Sequence, residues 1–268
     1  MSGLFQALRH LVPGALPQFI VVGARNSGTT SLYATLTAHP MVRPASKKEV
    51  HFFDYGYERG VRWYRGHFPR ANSLQGGAIT GEVSPYYLFH PYAPARIRNL
   101  LPGVKLIAIL RDPVDRAISH FFHERRRGRE PLGIEEAMDR EEERLAPEIR
   151  RMREDGGYHS RPHLYWSYKA RGLYAEQLQR YLDLFPREQL LVLQSEDFFK
   201  RRQEVMHRTF RFLGVPPMDT PVPQLHLHRG SYDSSDVPAG VRENLIRFFR
   251  PHNDRLYSLL SEDFGWKR

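Results

Sequence analysis

Residues 19–36 read FIVVGARNSGTTSLYATL, and the fold turns on them. Phe19, Ile20, Val21 and Val22 form a continuous apolar, mostly β-branched run, the pattern of a strand buried on both faces of a parallel sheet. Residues 23–28, bounded by Gly23 and Gly28, predict a tight loop, and Thr29 onward a helix with Leu32 and Leu36 on one face. A strand, a short loop and a helix start make an anion cradle, because loop amides and the unpaired N–H groups of the first helical turn converge where the helix dipole favours negative charge. The spacing from Gly23 to Gly28 is that of the nucleotide loop G-x-x-x-x-G-K-[ST], but Thr29, followed by Thr30, stands where that loop has its lysine. The cradle is kept and the clamp on a γ-phosphate is lost. An ordinary strand-to-helix turn of a doubly wound sheet is the competing reading.

With 268 residues, 41% of them hydrophobic, the chain can bury one substantial core, which points to one α/β domain over 18–268 preceded by a lead-in over 1–17. Forty Lys and Arg against thirty Asp and Glu give a formal charge of +10, a surplus that favours anionic ligands or serves solubility alone. The short basic run at 125–129 is mixed with acids, so no nucleic-acid partner is expected. The absence of cysteine excludes disulfides and thiolate metal sites. No apolar run approaches the roughly 20 residues of a membrane span, and the first 18 residues make a poor signal peptide. These features predict a cytoplasmic location.

Further strands are expected over 78–83, 105–110 and 190–198, with helices between them, giving a parallel sheet flanked by helices. At the carboxyl end of 105–110 stands Arg111-Asp112-Pro113, where ligands sit in open parallel sheets, with Pro113 suited to a first helical turn. Arg111 there is either an anion ligand or the partner of Asp112 or Asp115. Residues 46–53 (SKKEVHFF) predict a loop entering a half-buried strand, placing Glu49 and His51 on one side by the two-residue period. The aromatic stretch 54–77 reads as a loop with one helical turn, its Trp63, Tyr64 and Phe68 holding it onto the domain or lining a substrate face. The charged run 123–156 predicts a solvated helical pair interrupted by Pro147, residues 165–184 one helix, 197–213 another ended by Gly214, and 239–250 with 252–261 a closing pair.

Four stretches in order, FIVVGARNSGTTSL, KKEVHFFD, KLIAILRDPVDRAISHF and HRGSY before terminal helices ending in DFGW, resemble sulfotransferases that use 3′-phosphoadenosine 5′-phosphosulfate (PAPS). The likeness is greatest to the heparan sulfate glucosaminyl 3-O- and N-sulfotransferase branch and covers residues 18–266. The resemblance implies the P-loop-type α/β sheet of that family in a single domain. It also implies that Arg25, Asn26, Ser27, Gly28, Thr29 and Thr30 hold the 5′-phosphosulfate and that Arg111 and Ser119 hold the 3′-phosphate. By the same likeness Arg229 and Gly230 form the loop closing over the nucleotide, and Glu49 is the catalytic base with His51 orienting it or the acceptor. Partial burial would raise the Glu49 pKa and suit it to that role; the competing readings are a Glu49 ion pair with Lys47 or Lys48 and a His51 satisfied in the core.

Two positions depart from the family pattern. Asn26 stands where a lysine usually contacts the bridging oxygen of the leaving group, and Val83 where the glycosaminoglycan branch has a second lysine. Arg25, Lys47 or Lys48 would have to take over, or catalysis is slow or lost. The resulting expectation is sulfuryl transfer from PAPS, without metal, to a hydroxyl or amine of a small-molecule or saccharide acceptor, neutral or acidic. A P-loop nucleotide kinase, or a polyanion-binding protein of the same fold without chemistry, are the alternatives.

Overall fold

In a computed structural model of the chain, residues 14–218, 221 and 234–266 are described. Five strands form one sheet in the order β2-β3-β1-β4-β5, every neighbouring pair parallel. They are β1 Phe19–Gly23, β2 Val42–Pro44, β3 Ile79–Val83, β4 Lys105–Leu110 and β5 Leu190–Gln194. The run at 19–23 takes the centre because it is apolar on both faces. Phe19 and Val21 pack with Leu32, Leu36, Phe198 and Phe210 on one side, and Ile20 and Val22 with Tyr87, Tyr174, Tyr181 and Trp266 on the other, the alternation a pleated strand imposes.

The helices are α1 Thr29–Thr37, α2 Gly60–Arg65, α3 Ala93–Leu100, α4 Pro113–Arg126, α5 Ile134–Asp139, α6 Glu141–Glu154, α7 Arg161–Tyr165, α8 Tyr174–Leu182, α9 Ser195–Lys200, α10 Arg202–Leu213 and α11 Ala239–Leu260. Connections from β1 lead by way of α1 toward β2 and β3, whereas β4 lies on the other side of β1. The loops leaving β1 and β4 thus part at the sheet's carboxyl edge, the position where ligand crevices form in open parallel sheets.

The chain departs from the sequence reading in several places. The strand expected over 190–198 ends at Gln194, and the helix expected over 197–213 is two, Ser195–Lys200 and Arg202–Leu213. No strand forms over 50–53; Glu49 and His51 instead have φ of 59° and 58°, and the segment is a turn laid across the end of β3. Pro147 does not interrupt α6, whose Leu145 and Met152 pack inward on either side of it, and the charged run is not simply solvated, since Glu124, Glu130 and Glu141 are buried within it. The helix expected over 165–184 is broken by a 3-10 turn at Ala170–Gly172. Likewise the expected closing pair is one helix, α11, whose Val241, Leu245 and Phe249 before Pro251, and Leu256, Tyr257 and Leu260 after it, are all buried. Packing on both sides of each proline offsets the roughly 3 kcal/mol that proline costs a helix interior. The aromatics of the 54–77 stretch mainly pack: Tyr64 is fully buried and stacks on Phe52 at 4.4 Å, while Phe68 lies edge-on to Tyr64 at 5.0 Å.

β1 and β3 can approach in this register only because Gly81 faces Phe19. A Cβ on Gly81 would lie 2.5 Å from the Phe19 ring and from its carbonyl oxygen. Gly81→Ala is therefore expected to destabilise the fold by about 1–3 kcal/mol, read as a lower urea midpoint with unchanged slope. Unaltered stability would contradict the register.

Candidate active site

Three chain segments meet at the carboxyl edge. The first is the loop 24–28. Its Ala24 N–H donates to Ile109 O at 2.8 Å, and Gly28 caps α1 at φ 91°, a conformation open to glycine and strained for other residues. A Cβ there would also meet the Phe199 ring at 3.0 Å. No side chain caps α1, so the donors of its first turn are available to an anion.

The second segment follows β4. Arg111 donates to Asn26 O at 3.4 Å, which sets its guanidinium against the loop. Neither proposed acidic partner takes it. Asp112 caps α4, accepting from the N–H groups of Val114 at 2.8 Å and Asp115 at 3.3 Å, and Asp115 pairs with Arg242 at 2.8 Å. Among the described residues Arg111 has no ion-pair partner, an unusual state for a half-buried arginine and one an anionic ligand would satisfy. Ser119, two turns into α4, is buried.

The third segment is 48–54. The Glu49 N–H donates to Val83 O at 3.0 Å, which fastens the turn to the end of β3. Lys48 Nζ lies 2.9 Å from Glu49 Oε1, while His51 stands between two carboxylates, Nδ1 at 2.6 Å from Asp54 Oδ2 and Nε2 at 3.3 Å from Glu49 Oε2. Asp54 is buried and also accepts the Tyr55 N–H at 2.6 Å. Burial opposes charge on the His51 ring, but its two carboxylate partners outweigh that and lift its pKa to about 9. For Glu49, burial pushes the carboxyl up, yet the His51 hydrogen bond and Lys48 together hold it down at about 2, the reverse of the expected rise. Both groups are thus charged at neutral pH. The two are neighbours as expected, but through left-handed backbone and not through a pleat. Strained backbone of this kind clusters at functional sites.

Arg25 does not stand in for the missing lysine by contact with the loop's anion position. Its guanidinium donates to Leu164 O at 2.8 Å and pairs with the buried Glu124 at 2.5 Å, and it remains within electrostatic reach of Glu49. Val83, at the other lysine position, is fully buried in the core. Ser27 and Thr29 are buried, Asn26 and Thr30 half-buried, in the cradle, and Arg229 and Gly230 lie outside the described residues. Sequence reasoning missed Asp54. It was the last residue of the quoted KKEVHFFD stretch, three residues beyond His51, and the i,i+3 pairing of an acid with a histidine was the available signal.

Because the folded-state pKa of His51 exceeds its usual 6.5, its contribution to stability is complete below about pH 6.5 and is lost as pH rises through 9. The stability difference between the wild type and His51→Gln, measured by urea unfolding, is expected to shrink across that window. Parallel pH curves would refute the ion-bridged histidine.

Comparison with known proteins agrees with this arrangement. The family model described as "Sulfotransferase domain" matches residues 16–233. The mouse (Mus musculus) heparan sulfate glucosamine 3-O-sulfotransferase 6 is 32% identical over 93% of this chain and 73% of its own length. The membrane-associated sulfotransferase kil1 of Dictyostelium discoideum is 28% identical over 94% of this chain and 67% of its own. A crystal structure of a sulfotransferase from Alicyclobacillus acidocaldarius superposes with a TM-score of 0.76 at 35% identity, covering 95% of this chain and all of that one. With a cradle, an uncommitted arginine and a histidine-bridged carboxylate at one sheet edge, and with these likenesses along nearly its whole length, the chain belongs to the sulfotransferase family, close to the heparan sulfate glucosamine 3-O-sulfotransferase branch.

Proposed function

We propose that the protein transfers a sulfuryl group from PAPS to a hydroxyl or amine of a saccharide, glycolipid or natural-product acceptor, with Glu49 as general base. The observation that carries this reading is the pairing of a partly exposed carboxylate, Glu49, its side chain 38% exposed, with a half-buried His51 backed by the buried Asp54, directly at the end of β3. The donor set fits a nucleotide with two anionic groups: the uncapped start of α1 and loop residues Asn26 to Thr30 for the 5′ end, with Arg25 committed to Glu124 and Leu164, and Arg111 and Ser119 for the 3′-phosphate. Bound PAPS supplies a sulfuryl group already activated as a mixed anhydride. The chain is then required to position, to neutralise charge and to remove one proton.

A carboxylate held near pKa 2 is a weak base, which is adequate if the acceptor proton leaves late in a loose transition state. What Glu49 offers is placement and a permanent negative charge. His51, charged and fixed by Asp54, keeps Glu49 Oε2 in one orientation, and Lys48 holds Oε1. Neutralisation on the leaving-group side falls to the α1 amides, since Asn26 and Val83 carry no charge and Arg111 is placed for the 3′-phosphate. Heparan sulfate glucosamine, named in the description of a relative, is the first saccharide acceptor to try. Among the described residues no helix is long and apolar enough to cross a membrane. The cytoplasmic location expected from the sequence has no further support, as one relative is described as membrane-associated.

Glu49→Gln is expected to lower transfer of labelled sulfate from PAPS by about 10²–10⁴-fold while 3′,5′-ADP binds as in the wild type. Undiminished transfer would remove Glu49 from the mechanism. A wild type that binds 3′,5′-ADP but transfers to no acceptor would favour the binding protein without chemistry.

A further inference from the structure

Beneath the 48–54 turn lies a carboxylate that the mechanism above does not use. Glu82, in β3, is fully buried and among the described residues forms no ion pair, though the charged His51 acts on it across space. It is held by hydroxyls alone: Tyr64 OH at 2.7 Å and Ser84 Oγ at 2.8 Å donate to its two oxygens, and Tyr87 OH stands at 3.3 and 3.4 Å from them. Two of these hydroxyls also accept hydrogen bonds from the catalytic turn. Ser84 Oγ accepts the His51 N–H at 3.1 Å, and Tyr87 OH accepts the N–H groups of Phe52 at 2.7 Å and Phe53 at 3.3 Å. A hydroxyl has one proton to give. With their acceptor sides turned to amides, Ser84 and Tyr87 point their protons at Glu82.

We infer that Glu82 is a positioning residue for the proposed reaction: through Ser84 and Tyr87 it fixes three consecutive amides, those of His51, Phe52 and Phe53, and so holds the left-handed turn that sets His51 against Glu49. The chain of bonds runs from carboxylate to hydroxyl to amide, each link polarising the next among fully buried side chains. The turn needs such support, because φ near +60° at two residues other than glycine costs of the order of 1–3 kcal/mol each, and the amides concerned would otherwise be orphaned. Burial raises the Glu82 carboxyl to about 7 despite its hydrogen bonds from Tyr64 and Ser84.

The inference rests on the reading of Glu49 and His51 as catalytic, and the test separates the two. Amide hydrogen exchange is measured on the ligand-free protein for the wild type, Ser84→Ala, Tyr87→Phe and Glu82→Gln, with the amides of β1 as the internal standard of global stability. Relative to β1, Ser84→Ala is expected to speed exchange at His51 by tenfold or more and to leave Phe53 unchanged. Tyr87→Phe should do the reverse, and Glu82→Gln, which offers a donor where two hydroxyls donate, should loosen all three. Ser84→Thr, which keeps the hydroxyl, should restore protection at His51. With PAPS and heparan sulfate as the acceptor probe, the same variants should lose kcat by about 10–100-fold, as expected for a displacement near 1 Å, while the affinity for 3′,5′-ADP stays within twofold. Exchange that rises equally in the turn and in β1, or does not rise at all, overturns the positioning role whatever the acceptor. If Glu49→Gln transfers as well as the wild type while the exchange pattern holds, the catalytic reading fails and the structural relay stands.

Discussion

The parallel register of β1 with both of its neighbours is the constraint on which the site depends. Phe19 pairs with Gly81 on one side and with Lys105 on the other, and after a register shift between Val21 and Gly23 the strand ends stand staggered but adjacent, Val83 opposite Val21 and Gly23 opposite Ala108, two residues before Leu110. Everything chemical hangs from those ends: the loop 24–28 from β1, the anchor of Glu49 from β3, and Arg111 from β4. A shift of any strand by one residue would exchange its two faces and separate the cradle from the carboxylate. The small residue at Gly81 that permits the register is thus as much a part of the site as the groups that line it.

Electrostatically the edge has two unlike halves. Around the cradle, among the described residues, no side chain caps the start of α1 and Arg111 has no ion-pair partner. Around Glu49 charge is closely matched, with Lys48, Glu49, His51 and Asp54 in a line of alternating sign. The first half suits the binding of an anion, and the second suits keeping a carboxylate ionised and still. Arg25 belongs to neither by contact, because Glu124 and the Leu164 carbonyl take its guanidinium. Its nearness to Glu49 makes it a source of field at the acceptor side of the edge.

The sheet was legible in the sequence wherever burial is two-sided. The apolar runs at 19–22, 105–110 and 190–193 lack alternation and each became a strand, although the third, expected over 190–198, stops at Gln194 where a helix begins at Ser195. The family likeness was legible as well, since it lies in contiguous stretches. What stayed hidden depends on contacts between residues far apart in the chain. No local pattern shows that Glu49 and His51 adopt positive φ, because the reason lies in hydroxyls at 84 and 87. Nor does a charged run reveal that Glu130 is buried against Tyr168 and Arg144, or that Glu141 accepts the amides of Lys169 and Ala170. Pro147 and Pro251 looked like helix ends because the packing that carries each helix past its proline is tertiary. The low pKa of Glu49 was missed for a related reason: a pair with Lys47 or Lys48 is the alternative to a base raised by burial, and the structure joins the Lys48 pair to a charged His51, which together outweigh burial.

Whether the two uncommitted positive features form one nucleotide site is most directly tested by calorimetric titration with 3′,5′-ADP and with 5′-AMP in the presence of a metal chelator. A site in which α1 takes the 5′-phosphate and Arg111 with Ser119 takes the 3′-phosphate should bind 3′,5′-ADP at least tenfold more tightly than 5′-AMP, without magnesium. Equal affinities for the two nucleotides, or binding that appears only when magnesium is restored, would contradict the account.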